Sequence, residues 1–146
     1  MTKNLNHKKT VLVGGCFDIL HYGHINFLKK AKSKGDYLIV ALESDENVRK
    51  LKGLKRPIHS QKLRREMLQS LEFVDKIIDL PIMQSDLDYQ KLVLKLKPDI
   101  IAVTDGDPIL DIKRAQAETI DAKVVVIPKV KNVSTSDIVK ALESEV

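Results

Sequence analysis

Short runs of β-branched and aliphatic residues alternate along this chain with longer segments in which apolar residues recur every three or four positions. This alternation is typical of βα units, in which helices cover both faces of a parallel sheet. The short runs are apolar across their centres, as expected of strands buried on both faces. Five strands are predicted: Thr10 to Gly14, Tyr37 to Leu42, Val74 to Leu80, Asp99 to Thr104 and Lys123 to Pro128.

Five of the longer segments predict helices, namely 24–35, 60–73, 87–97, 109–120 and 134–146. Leu63, Met67, Leu68 and Leu71 of the second lie at helical spacing, which predicts a core-facing stripe with the charges opposite. In the last, Ser134 is followed three residues later by Asp137, a pattern similar to a capping box. The predicted fold is α/β and Rossmann-like, a five-stranded parallel sheet with helices on both faces.

Composition narrows the class of protein. A chain of 146 residues with 43% hydrophobic content is the size of one domain, so a single domain over 1–146 is expected. The net charge of +5 suits anionic partners such as nucleotides. Cys16 is the only cysteine, and the first ten residues lack an apolar signal segment. No apolar run approaches the length of a membrane span, so a cytoplasmic protein without a membrane partner is expected.

The segment "GGCFDILHYGH", residues 14–24, follows the first predicted strand directly. Gly14 and Gly15 would let the backbone approach a ligand, and the free N–H groups of the next helix attract anions. The spacing differs from that of a dinucleotide-binding GxGxxG segment. These features indicate a phosphate site at the end of the first strand.

His21 and His24 lie three residues apart, so a helical turn places both rings on the same side. A metal pair would need further ligands, and His7, His59 and Cys16 show no zinc-like spacing, so no metal site is predicted from them. As phosphate ligands the rings need only protonation or N–H donation. The alternative is that both residues simply begin a helix.

Three segments resemble, in the same order, the motifs of the cytidylyltransferase-like (HxGH) nucleotidyltransferase superfamily, near glycerol-3-phosphate cytidylyltransferases and single-domain FAD synthases. They are "GCFDILHYGH", "LRREMLQSLEFVDKII" and "VSTSDIV", and together they extend from the first strand to the last helix. The resemblance implies transfer of AMP or CMP from ATP or CTP to a phosphorylated small molecule, with release of pyrophosphate. It also implies Mg²⁺ held mainly through the nucleotide phosphates, and a homodimer.

The resemblance also assigns roles to residues of this sequence. Asp18 would orient a neighbour or cap the turn, or would have a core role through backbone hydrogen bonds, and Arg64 would reach the triphosphate from the wall opposite the histidines. The implied catalytic residues are His21, His24 and Arg64. The implied nucleotide-binding residues are Gly14, Gly15, Cys16, Phe17, Thr104, Ser134 and Thr135. The implied ligands of the acceptor phosphate or of the β- and γ-phosphates are Lys52, Lys55 and Arg56, within the irregular basic segment predicted from Leu51 to His59.

Several alternatives stay open at this point. Relatives often carry Arg and Gly where this chain has Lys131 and Asn132, and a Gly where Thr104 precedes "DGDP", so the base is undecided. Cytidylyl transfer to glycerol 3-phosphate competes with adenylyl transfer to FMN or to a sugar phosphate, as in lipopolysaccharide core assembly. The "KLKGLKRPI" and "RREM" segments favour the FAD-synthase type and ATP slightly. A non-catalytic nucleotide sensor is the alternative class, and no nucleic-acid partner is expected because surface aromatics are not interleaved with the charge.

Overall fold

The computed structural model describes residues 7–131 and 134–144, which form five strands and six helices. The strands are β1 Thr10–Gly15, β2 Tyr37–Leu42, β3 Lys76–Asp79, β4 Ile100–Thr104 and β5 Lys123–Ile127. The helices are α1 Tyr22–Lys32, α2 Asp45–Lys52, α3 Gln61–Gln69, α4 Asp86–Leu96, α5 Leu110–Glu118 and α6 Thr135–Ser144. All five predicted strands are present with small changes at their ends. The last two residues of the predicted final helix lie outside the described residues.

The strands form one parallel sheet in the order β3-β2-β1-β4-β5. The chain winds outward from β1 in both directions, so β1 and β4 are neighbours whose connections leave toward opposite sides. Such a reversal opens a crevice at the carboxyl ends of the strands, where ligands bind in open α/β sheets. The fold therefore places the loops after β1 and β4 side by side at one edge.

A hydrophobic layer covers each face of the sheet. Successive residues of a strand point to opposite faces, so Val11 and Val13 pack with Leu28 of α1, while Leu12 packs with Val93 of α4. These five side chains are at most 5% exposed. The central strands thus have the two-sided burial that their apolar sequences predicted, and the Rossmann-like fold is confirmed. No helix in 7–131 or 134–144 has the length and apolar character needed to cross a membrane.

Two predictions about helices were wrong. Leu51 and Lys52 belong to α2, although 51–59 was predicted to be irregular throughout. The eight residues of α2 bury only Asn47 and Val48, so the helix has almost no apolar stripe to detect. The stripe predicted over 60–73, the segment that contains α3, is confirmed at Leu68, which is fully buried, and at Leu71, which packs against the core. It was wrong at Leu63 and Met67, which are 47% and 39% exposed, whereas the guanidinium of Arg64 is fully buried. Arg64 occupies the inner face of α3 because its guanidinium forms three hydrogen bonds there.

Candidate active site

The start of the loop between β1 and α1 has no room for a side chain at Gly15. A Cβ on Gly15 would lie 2.8 Å from Cε2 of Phe17, closer than side chains pack. Phe17 has a positive φ of 48°, and its ring is only 6% exposed. The ring meets the imidazole of His24 edge to face, with centroids 5.4 Å apart. The Phe17 ring therefore packs against His24, and the absence of a side chain at Gly15 leaves space for the Phe17 ring.

His21 and His24 form a reciprocal cap at the start of α1. Nδ1 of His21 accepts a hydrogen bond from the Gly23 N–H at 3.0 Å, and Nδ1 of His24 accepts one from the His21 N–H at 3.3 Å. The two rings stack with centroids 3.9 Å apart and planes 24° apart. The pair thus begins the helix, and its two imidazoles lie side by side, so this role does not exclude the predicted role as phosphate ligands.

The cap fixes the protonation of both rings. A nitrogen that accepts from a backbone N–H carries no proton, so the neutral rings have their hydrogen on Nε2. Burial lowers the pKa of His24 to about 4, and the neighbouring His21 and Lys52 add to that effect. Burial also lowers the pKa of His21. Near neutral pH the site therefore presents two neutral Nε2–H donors, which suit phosphoryl oxygens.

Asp18 connects three segments around this pair and is almost fully buried. Its carboxylate accepts from Nε of Arg56 at 2.7 Å and from the N–H groups of Ile58 and His59 at 2.8 and 3.0 Å. Its carbonyl accepts from the hydroxyl of Thr135 at 2.9 Å. Burial alone would raise the pKa of Asp18, but these hydrogen bonds and Arg56 hold it below the usual value. Asp18 thus orients its neighbours and, as a buried acceptor of two backbone N–H groups, also has the core role expected of it.

These loops surround a cavity of about 590 Å³ at the carboxyl ends of β1, β4 and β5. Most of the predicted site residues line it: His21, His24, Gly14, Gly15, Cys16, Phe17, Thr104, Ser134, Thr135, Lys52 and Arg56. Ser134 also accepts a hydrogen bond from the Asp137 N–H at 3.1 Å, as the predicted cap requires. Lys131 is exposed and does not line the cavity, and Asn132 lies outside the described residues.

Two predicted residues do not reach this cavity. Lys55 is exposed on the α2–α3 loop and does not line it. Arg64 is fully buried, does not line the cavity, and donates to three acceptors, of which only the Cys16 carbonyl belongs to a lining residue. The expected approach of Arg64 to a triphosphate from the opposite wall is therefore not what the structure shows. Its guanidinium faces the protein interior, where the carbonyls of His59 and Cys16 and the carboxylate of Asp45 accept its hydrogen bonds.

Asp105, Asp107 and Lys129 line the cavity but were not predicted. Asp105 and Asp107 follow β4, and Lys129 follows β5, so the rule that ligands bind beyond the carboxyl ends of the strands would have found them. Asp107 is already engaged with Lys113 and with the Ile109 N–H, whereas Asp105 has no side-chain partner among the described residues. Asp105 and Asp107 thus lie on the β4 side of β1, as does Lys129.

Two cations line the other side of β1. Lys52 and Arg56 follow β2, and Lys52 is close enough to influence the pKa values of both His24 and Cys16. Within 7–131 and 134–144, no three His, Cys, Asp or Glu side chains converge as metal ligands. Burial raises the pKa of Cys16, so its thiol stays protonated and is a poor nucleophile. The cavity is equipped to bind anions on the β2 side.

The profile of the cytidylyltransferase-like family matches residues 12–141. The chain belongs to this family. Among its relatives, the bifunctional protein HldE of Helicobacter hepaticus is 36% identical over 98% of the chain and 28% of that protein. HldE of Campylobacter jejuni is 41% identical over 96% of the chain and 29% of that protein. The chain thus spans less than a third of the length of these relatives. Together with the family match, they support a nucleotidyltransferase.

Solved structures agree with the cytidylyltransferase-like fold. A lipopolysaccharide core biosynthesis protein from Thermoplasma volcanium superposes with a TM-score of 0.68 at 29% identity, over 87% of this chain and all of that one. A pantoate-beta-alanine ligase from Francisella tularensis superposes with a TM-score of 0.60 over 93% of this chain and 69% of that one. Since the second is only 19% identical, it shows the fold alone.

Proposed function

We propose that this chain transfers AMP from ATP to a sugar phosphate and releases pyrophosphate. The observation that carries nucleotidyl transfer is the stacked pair of His21 and His24, whose Nδ1 atoms are held by backbone N–H groups. That arrangement leaves both Nε2–H groups for phosphoryl oxygens in the cavity. Neutral donors held in place this way stabilise charge that develops during a reaction without having to reorganise.

The chemistry needs an in-line displacement at the α-phosphorus. An oxygen of the acceptor phosphate forms the new P–O bond while the bond between the α-phosphorus and the β-phosphate oxygen breaks, and pyrophosphate leaves. Negative charge grows on the leaving oxygen, where donors from His21 and His24 would stabilise it. A covalent intermediate is not required, which suits a site whose single thiol, that of Cys16, stays protonated.

Lys52 and Arg56 would bind the phosphates on the β2 side of the cavity. Nε of Arg56 donates a hydrogen bond to the Asp18 carboxylate, and its two terminal nitrogens donate none to the described residues. Those nitrogens therefore remain for a phosphate, to which a guanidinium binds in bidentate fashion. Lys55 has no part in this proposal, because it does not line the cavity.

Mg²⁺ belongs to the proposal as the partner of the triphosphate. The cavity lining is rich in N–H donors and cations, and Asp105 is its one carboxylate without a side-chain partner among the described residues. That donor set fits an ion held mainly by phosphate oxygens and water, as is usual for Mg²⁺ on nucleotides. When bound, the ion would neutralise part of the triphosphate charge.

Two observations favour a sugar phosphate over the other acceptors. Phe17 and Phe27 are the only aromatic residues other than histidine among the described cavity lining, and Phe17 is buried against His24, so little surface remains for stacking a flavin. The relative from Thermoplasma volcanium is a lipopolysaccharide core biosynthesis protein, which matches the sugar-phosphate adenylyltransferases among the candidates. The same match supports ATP as the nucleotide.

Pyrophosphate release tests the proposal directly. The protein would be incubated with Mg²⁺, ATP or CTP, and sugar phosphates, glycerol 3-phosphate or FMN in separate reactions, with His24→Asn as the control. We expect release with ATP and a sugar phosphate, and loss of release in the variant. Release only with CTP and glycerol 3-phosphate, or only with FMN, would replace the proposed substrates. Nucleotide binding without turnover on any acceptor would instead indicate a sensor.

A further inference from the structure

Arg64 is the largest fully buried side chain among the described residues, although it lies on a helix rich in charge. A buried guanidinium is stable only when its donors are satisfied. Nε donates to the His59 carbonyl at 3.0 Å, one terminal nitrogen to the Cys16 carbonyl at 2.7 Å, and the other to Oδ1 of Asp45 at 2.8 Å. Of these three partners, the Cys16 carbonyl belongs to the loop that forms the floor of the cavity.

The Cys16 carbonyl and the Phe17 N–H belong to one trans peptide, so they point in opposite directions. Arg64 does not line the cavity, whereas Cys16 and Phe17 do. Because buried Arg64 holds the Cys16 carbonyl from outside the cavity lining, this peptide directs the Phe17 N–H toward the cavity side. Among the described residues that N–H forms no hydrogen bond. An unpaired backbone donor at a binding cavity is normally satisfied by a ligand or by water.

We propose that Arg64 is a positioning residue that, through the Cys16 carbonyl, aims the Phe17 N–H at a phosphoryl oxygen of the bound nucleotide. The proposal rests on the proposed function for the identity of that ligand. It gives Arg64 a role that differs from direct contact with the triphosphate. Phe17 also has a positive φ of 48°, a backbone conformation found in concave anion sites built from N–H groups.

Lysine cannot replace arginine in this role. The three acceptors come from the β1–α1 loop, the α2–α3 loop and the start of α2, and a planar guanidinium reaches all of them at once. An ammonium group on a flexible stem would leave at least one acceptor without a donor. Asp45 also accepts from the Gln61 N–H at 2.8 Å, so it anchors the guanidinium to the start of α3.

The Phe17 N–H can be observed directly by NMR. The chain contains three phenylalanines, so protein labelled with [¹⁵N]phenylalanine gives three backbone amide signals, assigned by Phe27→Leu and Phe73→Leu. Pyrophosphate is added as the probe. In the wild-type protein we expect a large downfield shift of the Phe17 signal alone. In Arg64→Lys that shift falls by more than half, while the ring signals of His21 and His24 still respond to pyrophosphate.

An equal Phe17 shift in wild-type protein and Arg64→Lys would overturn the proposal. So would a wild-type Phe17 signal that stays fixed while the histidine signals move. Should Arg64→Lys fail to fold, Asp45→Asn replaces it, because that variant keeps the arginine and removes its anchoring charge. A reduced Phe17 shift is expected there too, and an unchanged one contradicts the proposal. A Phe17 response without turnover on any acceptor would leave the positioning role standing and remove the proposed function.

Discussion

The rings of His21 and His24 stack with centroids 3.9 Å apart, and each accepts a backbone N–H through Nδ1. The same two side chains therefore begin helix α1 and present Nε2–H donors to the cavity. These two roles use different nitrogens, so substitutions can separate them. Asparagine reproduces the acceptor at the position of Nδ1, and glutamine reproduces a donor at the position of Nε2.

His21→Asn should leave the fold intact and remove activity. Asparagine is among the best helix N-caps, so the free energy of unfolding should stay within about 0.5 kcal/mol of wild type. Loss of the Nε2 donor should lower kcat by about a hundredfold or more, the usual effect of removing one such donor. Urea unfolding and pyrophosphate release measure the two effects. His21→Gln is the matched control, expected to be less stable but more active than His21→Asn.

Stability should fall as the pH drops from 6.5 toward 4, because His24 has a pKa of about 4 when folded and 6.5 as its ordinary value. In that window the unfolded chain binds a proton that the folded protein does not, which favours unfolding. The loss attributable to His24 should total about 2 to 3 kcal/mol. Urea unfolding across this range in wild type and His24→Asn checks it. Identical pH slopes in the two proteins would contradict the assignment.

Asp18→Asn should destabilise the protein by about 3 kcal/mol, because it leaves the Arg56 guanidinium buried without its counter-charge. The Ile58 and His59 N–H groups also lose a charged acceptor. Thermal or urea unfolding measures the change, with the exposed Glu118→Gln as a control expected to have little effect. A loss no larger than that of the control would show that the Asp18 cluster does not hold these segments together.

Gly15→Ala should destabilise the protein by about 1 to 3 kcal/mol, whereas Gly14→Ala should cost much less. A Cβ on Gly15 would collide with the Phe17 ring at 2.8 Å, while the nearest atom to one on Gly14, the Ala41 carbonyl oxygen, is 3.8 Å away. Displacing Phe17 also removes the support of His24. Equal stabilities of the two variants by urea unfolding would mean that the Phe17 ring moves aside freely.

Asp105→Asn should raise the KM for the nucleotide while leaving kcat within about threefold. Asp105 lies on the β4 side of the cavity, away from Lys52 and Arg56, so we expect it to accept from hydroxyl or amino groups of the nucleoside rather than to contact the phosphates. Steady-state kinetics with ATP measures this, with Asp111→Asn, an exposed site outside the cavity, as the comparison. A fall in kcat with unchanged KM would place Asp105 at the reacting phosphates.

Local patterns of residues predicted the structure correctly where one pattern alone decides it. A strand buried on both faces must be a short apolar run, so all five strands could be found, and the glycines and histidines near the first strand's end could be assigned to one site. Prediction from local patterns failed at α2 and in part at α3. The short α2 has no apolar stripe, and in α3 Leu68 faces the core as predicted, whereas Leu63 and Met67 face outward because Arg64 occupies the inner face.

The order of apolar runs, glycines and histidines by itself determined an α/β sheet with a loop after β1 that carries the glycines and the two histidines, because periodicity and helix-start chemistry act between residues close in sequence. Only the tertiary structure decided that Arg64 holds the Cys16 carbonyl, that Asp18 joins Arg56 to the loop before α3, and that Asp105 and Lys129 enter the cavity. Those contacts join segments distant in the chain. Their geometry depends on how the strands are ordered in the sheet, which local patterns do not encode.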